Sequence, residues 1–332
     1  GLTSLVQGSG MVCYPFMQLA YLNAATLKTL EIEVIGEANW LAVIYGSTEI
    51  AVVYTDLVRL VLTFGDVPYS TTWAAVRDTA PFPTLSMLDV RNSAPFDDDL
   101  LFRGNGATLQ NLRIPFRVIA KNILGRFDVL KRSSATTMNE VCIGKPSEAD
   151  NAFMASNLDM SIEQQVHDIL RVVTTLKLDV DTSGLHMLRA INAAPNSAIL
   201  KHLVLANIKC TVDDIIQFIA ALPSLASLSC EIQVSASMVD SIPASEHPSI
   251  LYAKHYPLSS KFKRLSVPWD VDTSGEETAV VAVQLAVICP SFSYVDLSPK
   301  LRNAFNREVG WAALNEPFGA YADSLIRLVH KY

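Results

Sequence analysis

The chain has 332 residues and a formal net charge of −7, and half of its residues are hydrophobic while only 18% are charged. A pI near 5.4 argues against nucleic acid as the main partner, since phosphate binding requires a clustered cationic surface. The longest apolar run, from Ala279 to Cys289, falls well short of the roughly 18–20 residues needed to cross a bilayer, and no membrane association is expected.

An apolar L-x-x-L-x-L motif recurs ten times in chain order. The first four copies read Leu27-Leu30-Ile32, Leu57-Leu60-Leu62, Leu85-Leu88-Val90 and Leu109-Leu112-Ile114. Three more follow as Met138-Val141-Ile143, Val173-Leu176-Leu178 and Leu200-Leu203-Leu205. The last three are Leu225-Leu228-Cys230, Phe262-Leu265-Val267 and Phe292-Val295-Leu297. A period of about 29 residues signals stacked supersecondary units rather than one globular core.

Each motif reads as a short strand. Its inward positions are almost wholly Leu, Ile or Val, and its outward positions are mostly polar: Thr29, Glu31 and Glu33; Arg59, Val61 and Thr63; Met87, Asp89 and Arg91. A slip of one residue would carry those charges into the core. Helices are expected over about 12–24, 38–51, 70–79, 116–130, 160–171, 184–193, 211–221, 247–256 and 276–289. Helices between successive strands imply a parallel sheet.

One unit shows the grammar. After the strand around Leu203, a turn is expected at Asn207-Ile208-Lys209. Thr211 then caps a helix whose first turn holds Asp213 and Asp214, where the helix dipole favours acid. Pro223 lies beyond the helix end.

Two polar stretches, 145–159 and 235–260, lengthen the repeat and are expected as rim loops. The sequence reads as a solenoid of ten to eleven irregular repeats over residues 1–299, with a helical C-terminal cap over 300–332 that covers the last repeat.

This pattern resembles the leucine-rich-repeat superfamily, and most of all its ribonuclease-inhibitor-like and F-box-associated types. The overall texture is also similar to that of uncharacterised fungal repeat proteins of this kind. The resemblance implies a right-handed α/β horseshoe, with a parallel sheet on the concave face and helices on the convex face. One departure stands out: the asparagine usual three residues after the last leucine is replaced by Ile35, Gly65, Ser93 and Ile208. Without an asparagine ladder to satisfy backbone groups, irregular turns are expected.

No residue set carries catalytic chemistry. Gly144-Lys145-Pro146-Ser147 keeps only the tail of a phosphate loop, and its proline removes a donor. His247 and His255, with Glu246, stand too far apart along a helix to share one zinc ion. Asp97-Asp98-Asp99 points its carboxylates in different directions, without a calcium-loop frame. Five scattered cysteines, 13, 142, 210, 230 and 289, form no C-x-x-C pair and read as free thiols. They fit a cytoplasmic or nuclear, reducing setting. The basic groups Lys121-Arg126-Lys131-Arg132 and Lys254-Lys261-Lys263-Arg264 read as solvated faces.

The expected function is therefore a non-enzymatic scaffold that binds a protein partner on the outward sheet face, with no cofactor and no metal. The expected contacts are Arg59, Asp89, Arg91, Arg113, Lys177, Asp179, Arg264 and Asp296. Two alternatives are weighed beside it. One is the substrate-recognition part of an F-box-type ubiquitin-ligase adaptor whose F-box would lie upstream. The other, more remote, is a hydrolase that uses the inserted loops.

Overall fold

The computed structural model describes residues 1–7, 14–34, 42–46, 51–64, 80–91, 108–115, 138–144, 169–179, 189, 191–193, 198–232, 261–268 and 294–308. Two compact units divide the chain, Gly1–Ala190 and Ile191–Tyr332. Eleven parallel strands make it a parallel β-solenoid repeat fold. The first unit holds β1 (Ser4–Val6), β2 (Thr29–Val34), β3 (Arg59–Phe64), β4 (Met87–Arg91), β5 (Asn111–Pro115), β6 (Met138–Gly144) and β7 (Val173–Asp179). In the second lie β8 (His202–Cys210), β9 (Ser227–Ile232), β10 (Arg264–Val267) and β11 (Tyr294–Leu297). The ten motifs are thus ten of the eleven strands, and β1 adds the leading Leu2-Thr3-Ser4-Leu5 segment.

The inward row runs across the sheet in register. Leu5, Leu30, Leu60, Leu88, Leu112, Val141 and Leu176 face one another from strand to strand in the first unit. Leu203, Leu228 and Leu265 do the same in the second. From Leu30 onward these side chains are buried. Each contributes on the order of 1.5–3 kcal/mol by leaving water, so the row forms the backbone of the core.

A second regularity recurs at the entrances of β2–β6, β9 and β10, where two successive amides donate to one carbonyl of the preceding coil. Lys28 and Thr29 donate to Thr3 O (2.8 and 3.2 Å), Val58 and Arg59 to Lys28 O (2.9 and 3.0 Å), and Ser86 and Met87 to Val58 O (3.0 and 2.9 Å). Gln110 with Asn111, and Asn139 with Glu140, continue the pattern on Ser86 O and Gln110 O. In the second unit, Ala226 with Ser227 uses Lys201 O, and Lys263 with Arg264 uses Ala226 O.

Threonines supply a further ladder at the strand entrances. Thr26 Oγ1 donates to Leu2 O at 2.9 Å. Thr84 Oγ1 reaches Leu57 O at 3.1 Å and Thr55 O at 2.8 Å. Thr108 Oγ1 reaches Leu85 O at 2.9 Å and Pro83 O at 3.2 Å. Each threonine directly precedes the first leucine of its motif, so backbone carbonyls at the strand entrance find donors without asparagine.

Among the described residues the helices are α1 (Tyr14–Leu22), α2 (Val212–Ala221) and α3 (Pro299–Glu308), with short helical pieces at 42–45, 169–170, 189 and 191–192. A helix lining in every coil, as in a leucine-rich-repeat horseshoe, is not shown. The expected helices over 70–79, 116–130, 247–256 and 276–289, most of those over 160–171 and 184–193, and the cap from 309 onward lie outside the described residues. Among the described residues, no helix is long and apolar enough to cross a membrane.

The helix α2 forms where expected. Thr211 Oγ1 accepts from Asp214 N at 3.1 Å, and Asp214 Oδ2 accepts from Thr211 N at 2.8 Å. This reciprocal capping box satisfies two amides that the helix cannot. Ile215, Phe218 and Ile219 bury its inner face. The turn expected at Asn207-Ile208-Lys209 is instead a bulge inside β8: the register jumps from Leu205 opposite Cys230 to Lys209 opposite Glu231. Asn207 sits at φ 60°, a conformation asparagine tolerates better than most residues. The extra residues return Cys210 to the buried side.

At the C-terminal end, Leu301 and Ala304 bury one side of α3. Ser298 Oγ accepts from Leu301 N at 3.4 Å at the helix start. In the first unit, Tyr54 and Phe82 stand at matching positions three residues before Leu57 and Leu85. Their rings pack 5.4 Å apart, tilted by 39°, and Tyr54 Oη donates to Val43 O at 2.8 Å.

Candidate interaction surface

Strand period two places Thr29, Glu31 and Glu33 opposite in direction to Leu30 and Ile32, and the same holds along β3 to β7. Register then builds a row of outward residues across the sheet. Glu31 pairs with Val61, Val61 with Asp89, and Asp89 with Arg113. Beyond Arg113 come Cys142 and Lys177. The neighbouring row carries Thr29, Arg59, Met87, Asn111, Glu140 and Thr175.

Charges on these rows are knitted together across strands. Glu31 takes Arg91 Nη1 at 3.2 Å on Oε1 and Arg59 Nη2 at 3.9 Å on Oε2. Asp89 takes Arg91 Nε at 3.1 Å on Oδ2 and Arg113 Nε at 3.8 Å on Oδ1. Lys177 Nζ meets Glu140 at 2.8 Å. Arg91 thus bridges Glu31 to Asp89, and four of the eight expected contact residues (Arg59, Asp89, Arg91 and Arg113) share one network.

Asp89 and Val61, paired in this row, are both buried, at 3% and 0% exposed. Asp89 Oδ1 accepts no hydrogen bond, and the charge of Asp89 is balanced by guanidinium groups that are themselves open, 41% for Arg91 and 59% for Arg113. A buried carboxylate without such partners would be costly. Asp89 therefore offers almost no surface of its own and orients the two arginines.

The remaining expected contacts lie elsewhere. Lys177 joins Glu140, and Asp179 is half-buried at the end of β7. In the second unit, Arg264 is exposed on β10. Asp296 on β11 accepts from Arg302 Nη2 at 3.2 Å and from Ser266 Oγ at 3.5 Å. Glu31, Glu140 and Arg302 complete these pairs, although the sequence alone did not single them out. The signal for Glu31 was the presence of arginines on β3 and β4 at outward positions.

Among the described residues, the charged side chains of this surface pair with one another, and the thiols of Cys142 and Cys210 are held in the neutral form. Cys142 sits between Arg113 and Lys177 in its row, yet burial pushes its thiol up, and Glu140 and Asp179 add to this against the two cations. Cys210 and Cys230 are buried on the inward side. A hydrogen bond with Cys230 and then burial hold the Cys210 thiol far above the ordinary range, which opposes formation of the reactive thiolate. Among the described residues, no cluster of three or more metal-ligating side chains occurs. The residues singled out as Asp97-Asp98-Asp99, His247, His255, Lys145 and the loops 145–159 and 235–260 lie outside the described residues.

No known family model matches the chain, and no characterised protein matches it either.

Proposed function

We propose that the chain is a non-enzymatic scaffold that binds another protein across the outward face of β2–β7. The observation that carries this reading is the Glu31–Arg59–Arg91–Asp89–Arg113 network. It fixes three guanidinium groups on a rigid sheet while leaving each of them well exposed. Arginine held in this way has lost much of its side-chain freedom before a partner arrives, which lowers the ordering cost of binding. Arginine is also among the residues that most often dominate interface energies. On the second unit, Arg264 and Asp296 are the corresponding contacts.

We further read the repeat as leucine-rich-repeat-like, with helices on the side opposite the contact face. Support comes from α1 and α2, which lie between successive strands and bury Met17 and Ala20, and Ile215, Phe218 and Ile219, respectively. Coupling to a ubiquitin ligase gains no support from any side chain described above.

The test is a triple charge reversal, Arg91→Glu, Arg113→Glu and Lys177→Glu, with the fold checked by circular dichroism. Affinity capture with quantitative mass spectrometry then compares the variant with the parent chain. Loss of the specifically captured proteins is expected. Retention of all of them by a folded variant would remove this face from consideration.

A further inference from the structure

Two guanidinium groups are arranged around the one buried carboxylate of Asp89. Arg91 Nε donates to Asp89 Oδ2 at 3.1 Å, and Arg113 Nε stands 3.8 Å from Oδ1. The first is a hydrogen bond, and the second is too long to be one. Register sets this up. Arg113 lies opposite Asp89 on the adjacent strand, and Arg91 lies two residues farther along β4. Both side chains leave the same face of the sheet and converge on the same acid.

Three observations make this pair a receptor for an anion. First, positive charge is what the patch shows to solvent. The side chains of Arg59, Arg91 and Arg113 are 37%, 41% and 59% exposed, against 24% for Glu31 and 5% for Asp89. Second, donors are left over. Arg91 uses Nε on Asp89 and Nη1 on Glu31, and its Nη2 makes no hydrogen bond among the described residues. Arg113 and Arg59 make ion pairs of 3.8 and 3.9 Å and donate no hydrogen bond among the described residues. Third, Asp89 Oδ1 is a buried acceptor without a donor, a state that costs free energy. Arg113 Nε stands roughly 1 Å beyond hydrogen-bonding length. The two like-charged guanidinium groups repel each other across a single carboxylate, which opposes closure.

We propose that the Arg91–Arg113 pair takes a carboxylate, the side chain of an aspartate or glutamate in an otherwise neutral segment of a partner protein. This recognition rests on the reading of the outward face of β2–β7 as the contact face. The carboxylate lies between the Nη groups of the two arginines, in charge-assisted hydrogen bonds. It offsets their mutual repulsion, and Arg113 Nε then closes on Asp89 Oδ1. The buried oxygen gains its donor without touching the ligand, so Asp89 is a positioning residue. Charge selects a carboxylate over a phosphate. Three guanidinium groups against two carboxylates leave the network with one positive charge in excess. One carboxylate neutralises it, whereas a phosphate, at roughly −1.5 to −2, overshoots it beside Glu31.

The probe is a short peptide with blocked ends and a single glutamate among glycines and serines, titrated into the isotope-labelled intact chain. Nuclear magnetic resonance follows the Nε–Hε signals of Arg91 and Arg113, each assigned by its loss in Arg91→Lys or Arg113→Lys. Saturable shifts of both signals are expected, with slower hydrogen exchange at Arg113 Nε. The same peptide with glutamine in place of glutamate shifts neither. Asp89→Asn adds a positive charge to the network, yet it lowers affinity at least about threefold because the arginines lose their anchor. Arg113→Lys alters an exposed side chain and keeps its charge and the fold. It lowers affinity by a similar factor through loss of the planar fork. The proposal is overturned by any of four results: no shift with the glutamate peptide, tighter binding by folded Asp89→Asn, unchanged affinity in Arg113→Lys, or tighter binding of a phosphoserine peptide. The last assigns the pair to phosphate. No shift with the glutamate peptide, alongside loss of captured proteins in the triple charge reversal, defeats carboxylate recognition alone. Peptide binding alongside retention of every captured protein defeats the contact face instead.

Discussion

Truncation of Leu203, set against truncation of its neighbour His202, probes the alternation on which the contact face depends. Leu203 is fully buried and lies in register with Leu228, which pairs in turn with Leu265; both are also buried. Leu203→Ala removes buried carbons from a row that parallel pairing holds at fixed spacing, so the cavity closes poorly. The expected cost is about 3 kcal/mol, within the range of roughly 2–5 kcal/mol for such truncations, or on the order of 100-fold in the folded-to-unfolded ratio. His202 is exposed, and its Nδ1 lies 2.7 Å from Ser227 Oγ. His202→Ala gives up one solvated hydrogen bond and costs less than about 1 kcal/mol. Urea titrations followed by circular dichroism read both values, and hydrogen exchange at β8 and β9 reports whether the loss is local. Equal destabilisation by the two variants would refute the assignment of sheet faces, and with it the contact surface.

Two further substitutions test local features. Tyr54→Phe removes the bond to Val43 O and should cost about 1 kcal/mol near neutral pH. Burial first and Tyr21 second raise the Tyr54 hydroxyl above its ordinary value of 10.0. The protonated folded form is therefore favoured: the contribution is complete below pH 10 and is lost as pH rises beyond it. Stability measured between pH 9 and pH 11 should consequently decline less steeply in the phenylalanine variant, and an unchanged slope would count against a buried Tyr54. Thr211→Ala breaks the capping box of α2 and should cost about 1 kcal/mol. Thr211→Ser should restore most of it, whereas equal loss in both would show that the hydroxyl bond is not the source.

The strands were legible because each motif alternates large aliphatic residues with polar ones, and register follows once one face must stay dry. Leu60, Leu88 and Leu112 could be placed opposite one another from spacing alone. Charge partnership was harder to read. Asp89 looks like any outward residue in the sequence, and its burial arises from arginines on β4 and β5 that come together only through pairing. The bulge in β8 was read as a turn because Asn207 favours left-handed backbone in both settings, and short-range sequence does not distinguish them. The irregular turns expected at Ile35, Gly65 and Ser93 lie outside the described residues, while the entrance ladder had a signal in the sequence: Thr26, Thr84 and Thr108 each stand immediately before a motif leucine. Function was the least legible, since recognition depends on which exposed side chains are held still, and periodicity does not encode that.

The paired amides that seat β2–β6, β9 and β10 on the coil before them uncouple alignment from segment length. Successive motif centres are 24 residues apart between Leu88 and Leu112 but 37 apart between Leu228 and Leu265, yet both pairs meet the same register rule. Insertions and deletions in the connecting segments therefore leave the neighbouring strands in phase, whereas a single residue gained or lost within a strand would turn its leucines toward water. The chain is built to tolerate growth between its rungs and to resist it on them.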